Sequence, residues 1–172
     1  MPQTTIRPAR REDLSLVCEL IRELAVYERL EHECRAEPAA LGRALFGGEG
    51  APPVAEALIG EVDGVGEGFA LYFLNFSTFL CRPGIYLEDL FVRPSARGKG
   101  LGKALLAHLA RLAVSRGCGR LEWSVLDWNE PAIGFYQRLG ARPMDEWTVY
   151  RLTGEAMAAL ASTAESASHG SR

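Results

Sequence analysis

The fold is decided by the stretch Tyr86-Leu87-Glu88-Asp89-Leu90-Phe91-Val92-Arg93-Pro94-Ser95-Ala96-Arg97-Gly98-Lys99-Gly100-Leu101-Gly102-Lys103. The apolar run from Ile85 to Val92 reads as a central strand, and Pro94 ends it. A glycine-rich turn follows. From Gly100 to Arg116, Leu101, Leu105, Leu109 and Leu112 fall on one stripe of a helix that Gly117 closes. A helix that leaves such a turn offers unpaired backbone N–H groups and the positive end of its dipole, so it binds phosphate without needing side chains. Gly98, Gly100 and Gly102 keep Cβ atoms out of the approach, and Arg97, Lys99 and Lys103 add positive charge. Two nucleotide motifs are excluded by spacing. A dinucleotide fingerprint starting at Gly98 requires glycine where Lys103 stands. A P-loop ending at Gly102-Lys103 requires glycine and a hydroxyl residue where Arg97 and Ala104 stand. The pattern Arg/Gln-x-x-Gly-x-Gly/Ala is met by Arg97, Gly100 and Gly102. Taken alone, it leaves a turn without a ligand as the alternative.

Upstream, Thr4 to Pro8 reads as a short strand, and Asp13 opens a helix carrying Leu14, Val17, Ile21 and Leu24 at helical spacing. A second short helix is expected from Pro38 to Phe46. Val54 to Val62 and Glu67 to Phe76 form a hairpin about Asp63-Gly64. Downstream, Arg120 to Leu126 reads as a strand. Asn129 caps a helix with Pro131 in its first turn and Gly140 past its end. A last strand, Thr148 to Leu152, precedes a helix from Glu155 to Ala161. The small polar tail 162–172 is expected to be disordered. These elements predict an α/β fold: a mixed, largely antiparallel sheet with helices on both faces, in one domain over residues 1–161.

The chain has 172 residues, 48% apolar and 24% charged, in the range of an ordinary globular domain. Its net charge of −3 argues against nucleic acid as the main partner, because phosphate binding needs a basic surface. Neither a signal peptide nor a membrane span is expected. Cys18, Cys34, Cys81 and Cys118 are widely spaced, so neither a disulfide framework nor a zinc site is expected, and a reducing cytoplasm is the simplest home. His32, His108 and His169 show no metal spacing.

Beyond the phosphate loop, the chain resembles the diamine (spermidine/spermine) N-acetyltransferases of the GNAT superfamily and the related thialysine N-acetyltransferases. The likeness runs from about Ile6 to Ala161. It rests on Ile6-Arg7-Pro8-Ala9, Glu23-Leu24-Ala25 with Tyr27-Glu28, Tyr86-Leu87-Glu88-Asp89 with Phe91-Val92, Arg97-Gly98 with Gly100 and Gly102, and Trp128-Asn129-Glu130-Pro131 with Phe135-Tyr136. The resemblance implies a GNAT fold, acetyl-CoA as donor, a small cationic amine as acceptor and a homodimer. It implies that the backbone of Leu90, Phe91 and Val92 pairs with the pantetheine arm. It also implies that Arg97, Gly98, Lys99, Gly100, Leu101, Gly102 and Lys103 hold the pyrophosphate and that Asn129, Pro131 and Ala132 flank CoA. Tyr136 matches a general acid, and Glu88 a residue that serves the amine through water. Tyr27, Glu28 and Asp89 match acceptor positions. Asp145 and Glu146 lie near a further acidic contact, although a gap is needed to align them. The loop 47–53 and the turn at Asp63-Gly64 depart from the family, which leaves the acceptor open among polyamine, diamine and lysine-like amino acid.

The chemistry asks for these residue types. An alkyl ammonium of pKa about 10 must lose a proton before it attacks a thioester, and a carboxylate such as Glu88 can pass that proton outward. A backbone N–H on the Glu88–Val92 strand can hold the oxyanion, and Tyr136 can protonate the leaving thiolate. Each residue also has a plainer reading: Tyr136 as a half-buried aromatic, Glu88 or Asp89 as an arginine partner, and Tyr27-Glu28 as a helix end. Two other functions compete, acetylation of a protein amine and acyl-CoA sensing without turnover.

Overall fold

The computed structural model describes residues 3–168, and His169 and the rest of the expected tail lie outside them. The chain divides into two compact units that meet between Trp128 and Asn129. The first contains a five-stranded sheet in sequential order: β1 (Thr4–Pro8), β2 (Glu56–Val62), β3 (Val65–Ser77), β4 (Arg82–Val92) and β5 (Leu121–Trp123). The first four pair antiparallel, and β5 joins β4 in parallel. Helix α1 (Leu14–Glu28) and α2 (Pro38–Phe46) precede β2, and α3 (Leu101–Ser115) crosses from β4 to β5. The mixed, largely antiparallel sheet expected from the sequence is therefore present.

The core follows from alternation along the strands. Ile59, Phe69 and Phe91 point to one face and meet Val17, Leu20 and Leu24 of α1. Leu101 presses on the other face at Gly60 and Gly68, where an added Cβ would stand 2.8 Å and 3.4 Å from its methyl groups. Helices thus cover both faces, and the sheet's glycines set how closely α3 approaches. Arg93, just past β4, is fixed to α1 by Glu23 at 2.7 Å and by Glu19. Arg7 of β1 binds Asp13 at 2.6 Å and Glu61 at 2.7 Å, and this holds the Asp13 carboxyl below its ordinary pKa.

The second unit holds α4 (Glu130–Arg138) and α5 (Gly154–Ser168). Three expectations need correction. Thr148–Leu152 forms no strand in the described structure but runs irregularly. The α5 helix continues past Ala161 to Ser168, so most of the expected disordered tail is helical. The strand expected over Arg120–Leu126 ends at Trp123.

Candidate active site

The site is built where β4 stops being a paired strand. β3 follows β4 along its whole length, but the register shifts between Leu71, opposite Asp89, and Tyr72, opposite Leu87. Glu88 is thus the extra residue of a β-bulge, which bends the strand and breaks its pairing rhythm. On the other side β5 pairs only with Ile85, Tyr86 and Leu87. From Glu88 to Val92 that edge of β4 is unpaired among the described strands. Such an edge presents backbone N–H and C=O groups to any extended ligand.

The open edge leads into the glycine-rich turn before α3. Gly98 and Gly100 take positive φ of 75° and 84°, where a side chain would be strained, and nothing lies within 4 Å of either Cβ position. Gly100 is the N-cap of α3 and gives it no side-chain cap, so among the described residues the first N–H groups of the helix keep no side-chain partner. Leu101 is buried to 1% exposure and anchors the helix start, while Lys99 and Lys103 are exposed. Leu101 can therefore serve a ligand only through its backbone. Arg97 reaches back from the loop. Its Nε donates to Val92 O at 2.9 Å, and its guanidinium lies 4.6 Å over the Tyr27 ring and 5.7 Å over Phe91.

Beside the bulge the structure gathers carboxylates. Asp89 is pushed up to about 6, first by burial, then by the neighbouring charges of Glu88 and Glu28. Burial also raises Glu28, the last residue of α1. Glu88 itself is exposed. The wall next to them is aromatic: the Tyr27 and Trp128 rings lie 6.1 Å apart, and Arg29 stacks 5.2 Å over Trp128. An electronegative recess walled by aromatic faces suits an ammonium group.

In the second unit, Asn129 is buried and its Oδ1 accepts from Ala132 N–H at 3.4 Å, which starts α4 as the Asn-Glu-Pro sequence requires. Pro131 and Ala132 form the first turn. Tyr136 is half-buried, its ring 5.4 Å from Phe135. Asp145 and Glu146 are exposed on an irregular segment.

The Acetyltransferase (GNAT) family model matches residues 18–141. The chain belongs to the GNAT acetyltransferase family. It is 38% identical to thialysine N-epsilon-acetyltransferase of Mus musculus over 94% of this chain and 99% of that one. It is 34% identical to L-ornithine N5-acetyltransferase NATA1 of Arabidopsis thaliana, over 90% and 86% of the two chains. Among solved structures, integron cassette protein VCH_CASS6 of V. cholerae superposes with a TM-score of 0.74 at 30% identity, over 92% of this chain and 97% of that one. The GNAT chain described here is an N-acetyltransferase. Among its described residues no helix is long and apolar enough to cross a membrane.

Of the residues singled out by sequence, the fold brings Glu28, Glu88 and Asp89 together and sets Tyr27 beside them through Arg97. It strings Leu90 to Lys103 along one edge and one helix start. Sequence reasoning passed over Arg120, Glu122 and Asn75, which form a second polar cluster on the sheet. The visible signal was Arg-x-Glu alternation in a strand, which by itself reads as a surface ion pair.

Proposed function

We propose that this enzyme transfers the acetyl group of acetyl-CoA directly to the primary amine of a small cationic acceptor, a polyamine, a diamine or a lysine-like amino acid. The observation that carries this reading is the unpaired β4 edge, Glu88–Val92, which ends at an uncapped helix on one side and at the Glu28–Glu88–Asp89 recess on the other. The backbone of Leu90, Phe91 and Val92 pairs with the pantetheine arm; the loop from Gly98 to Lys103 takes the pyrophosphate. The resemblance assigns Asn129, Pro131 and Ala132 to the donor as well. For the donor to reach Val92 O, Arg97 must leave that carbonyl, which frees its guanidinium for the phosphates.

The acceptor ammonium enters between Tyr27, Glu28 and Asp89; the resemblance adds Asp145 and Glu146 as acceptor contacts. Glu88 takes its proton through water, and the free amine attacks the thioester. The oxyanion is met by an N–H of the open edge, and Tyr136 returns a proton to the departing CoA sulfur. Residues 1–161 act as one GNAT domain, since the family match crosses the boundary at Trp128. We further read the protein as a cytoplasmic homodimer. Cys18, Cys34, Cys81 and Cys118 are all free. Leu74, Phe76, Phe79 and Leu80 crowd apolar surface at the far end of the β3–β4 hairpin, Phe79 at 94% exposure.

The test is release of free CoA thiol from acetyl-CoA with spermidine, putrescine, thialysine, lysine and a basic peptide. Turnover with one or more small amines supports the reading. Turnover with the peptide alone replaces it with a protein acceptor, and donor binding without any turnover replaces it with a sensor.

A further inference from the structure

The sheet face that carries Asp89 continues over residues that the chemistry above leaves unused. Leu71, Phe73 and Asn75 alternate on one face of β3, opposite Asp89, Tyr86 and Gly84 of β4, and Tyr86 in turn faces Glu122 of β5. The bulge at Glu88 is what puts Asp89 and Tyr86 on the same side despite their odd spacing. Contacts follow the register. The Phe73 and Tyr86 rings lie 5.3 Å apart, and Tyr86 Oη sits 2.7 Å from Ser124 Oγ. Asn75 Nδ2 donates to Glu122 Oε2 at 3.3 Å, and Arg120 Nε stands 2.7 Å from the same oxygen. Gly84 makes room for this cluster, because a Cβ there would stand 2.4 Å from Asn75 Oδ1 and 3.1 Å from Arg120 Cγ.

The cluster is incompletely satisfied. Arg120 Nε–H is near the carboxylate but not aligned with it, and both this atom and Asn75 Oδ1 are buried without a hydrogen bond. Among the described residues nothing accepts from the two terminal nitrogens of Arg120, and Glu122 Oε1 has no partner. An arginine kept for a surface ion pair favours the two-pronged contact, which is the strong one. Here the prongs remain available beside an available carboxylate oxygen, on a half-exposed surface. That is the complement of a zwitterion.

We propose that Arg120, Glu122 and Asn75 hold the head group of an α-amino acid acceptor and select it over the diamine of equal length. This deepens the function proposed above and rests on it. The α-carboxylate takes the Arg120 fork, and the α-ammonium donates to Glu122. The methylene chain crosses the Phe73–Tyr86 floor, and the terminal amine arrives at Glu88 and Asp89. Two to three strand residues separate Tyr86 from those carboxylates, about 7 to 10 Å at the usual rise, which suits a lysine-length side chain. A diamine sets its second ammonium at Glu122 but brings no carboxylate of its own to the Arg120 fork beside it, and that difference selects against it.

The experiment compares kcat/KM for lysine with cadaverine and for ornithine with putrescine, each pair differing only by the carboxylate. The amino acid is expected to win by roughly tenfold or more. Arg120→Gln is expected to reduce that ratio about tenfold through the amino acid's KM rather than kcat, and Arg120→Lys to restore part of it. Equal use of both members of a pair by the unaltered enzyme overturns the proposal, as does an Arg120→Gln variant that slows both alike. If no small amine turns over, the functional reading itself fails. Calorimetry on the CoA-loaded protein then decides the head-group site: lysine binding lost in Arg120→Gln sustains it, and binding absent or indifferent to the change refutes it.

Discussion

Asp89 is the residue whose environment has the most measurable consequence. Its carboxyl titrates near 6 because burial and the charges of Glu88 and Glu28 disfavour ionisation. In the unfolded chain it returns to about 3.9. The folded form therefore holds the extra proton between those values, and stability falls as pH rises through that window. Asp89→Asn is accordingly expected to match the parent near pH 4 and to be more stable than it at pH 7 to 8, by about 1–2 kcal/mol. Urea denaturation at the two pH values checks this, and an asparagine variant equally or less stable at pH 8 contradicts it. The same titration affects turnover. Below about pH 6 a neutral Asp89 attracts the acceptor less, so log kcat/KM is expected to steepen by one further proton there and to lose that steepening in Asp89→Asn. Glu88 and Tyr136 are tested by rate. Glu88→Gln is expected to raise KM for cationic amines. Tyr136→Phe is expected to lower kcat by 10²- to 10⁴-fold with acetyl-CoA affinity nearly unchanged, the range for a positioned proton donor. Full turnover in the phenylalanine variant removes the acid assignment.

At the scale of elements, the open β4 edge depends on how β3, β4 and α3 lock together. Gly68 is where the three meet: an added Cβ would lie 2.7 Å from Phe91 O, 3.1 Å from a Val92 methyl and 3.4 Å from Leu101. Gly68→Ala is expected to cost about 1–3 kcal/mol, the usual penalty of overpacking, and to raise KM for acetyl-CoA because Phe91 and Val92 must shift. Thermal melting and donor kinetics on one preparation check both effects. A variant with unchanged melting and unchanged KM would show that the edge is soft. The strand–turn–helix unit around this point was legible in the sequence, since apolar runs, prolines and glycines act locally. The bulge at Glu88 was not, because it exists only relative to the strand opposite. β5 came out shorter than its apolar pattern suggested for the same reason: past Leu87 its partner bends away. The α5 helix ran longer than expected because alanine-rich sequence favours helix even when it is also small and polar.

Considered whole, the molecule carries an apolar group at the hairpin end, Leu74, Phe76, Phe79 and Leu80, that a lone chain leaves in water. Exposed apolar patches of this kind mark interaction surfaces. Sedimentation is expected to give twice the chain mass of 18.8 kDa, and Phe79→Glu to shift the equilibrium towards the single chain. A parent that sediments as one chain at micromolar concentration counts against the dimer.

The sequence by itself determined the family, the glycine-rich turn that opens α3 and the Asn129 helix cap, and it singled out Glu28, Glu88 and Asp89, because each of these is written in contiguous residues whose spacing and backbone needs are local. Only the tertiary structure decided which of them lie together. The parallel pairing of β4 with β5 brought Glu122 to Asn75 across 47 positions of chain, with Arg120 beside it. The bulge turned Asp89 onto their face, and burial gave that carboxyl its raised pKa. Register, burial and charge proximity are properties of pairs of segments, and no single segment records them.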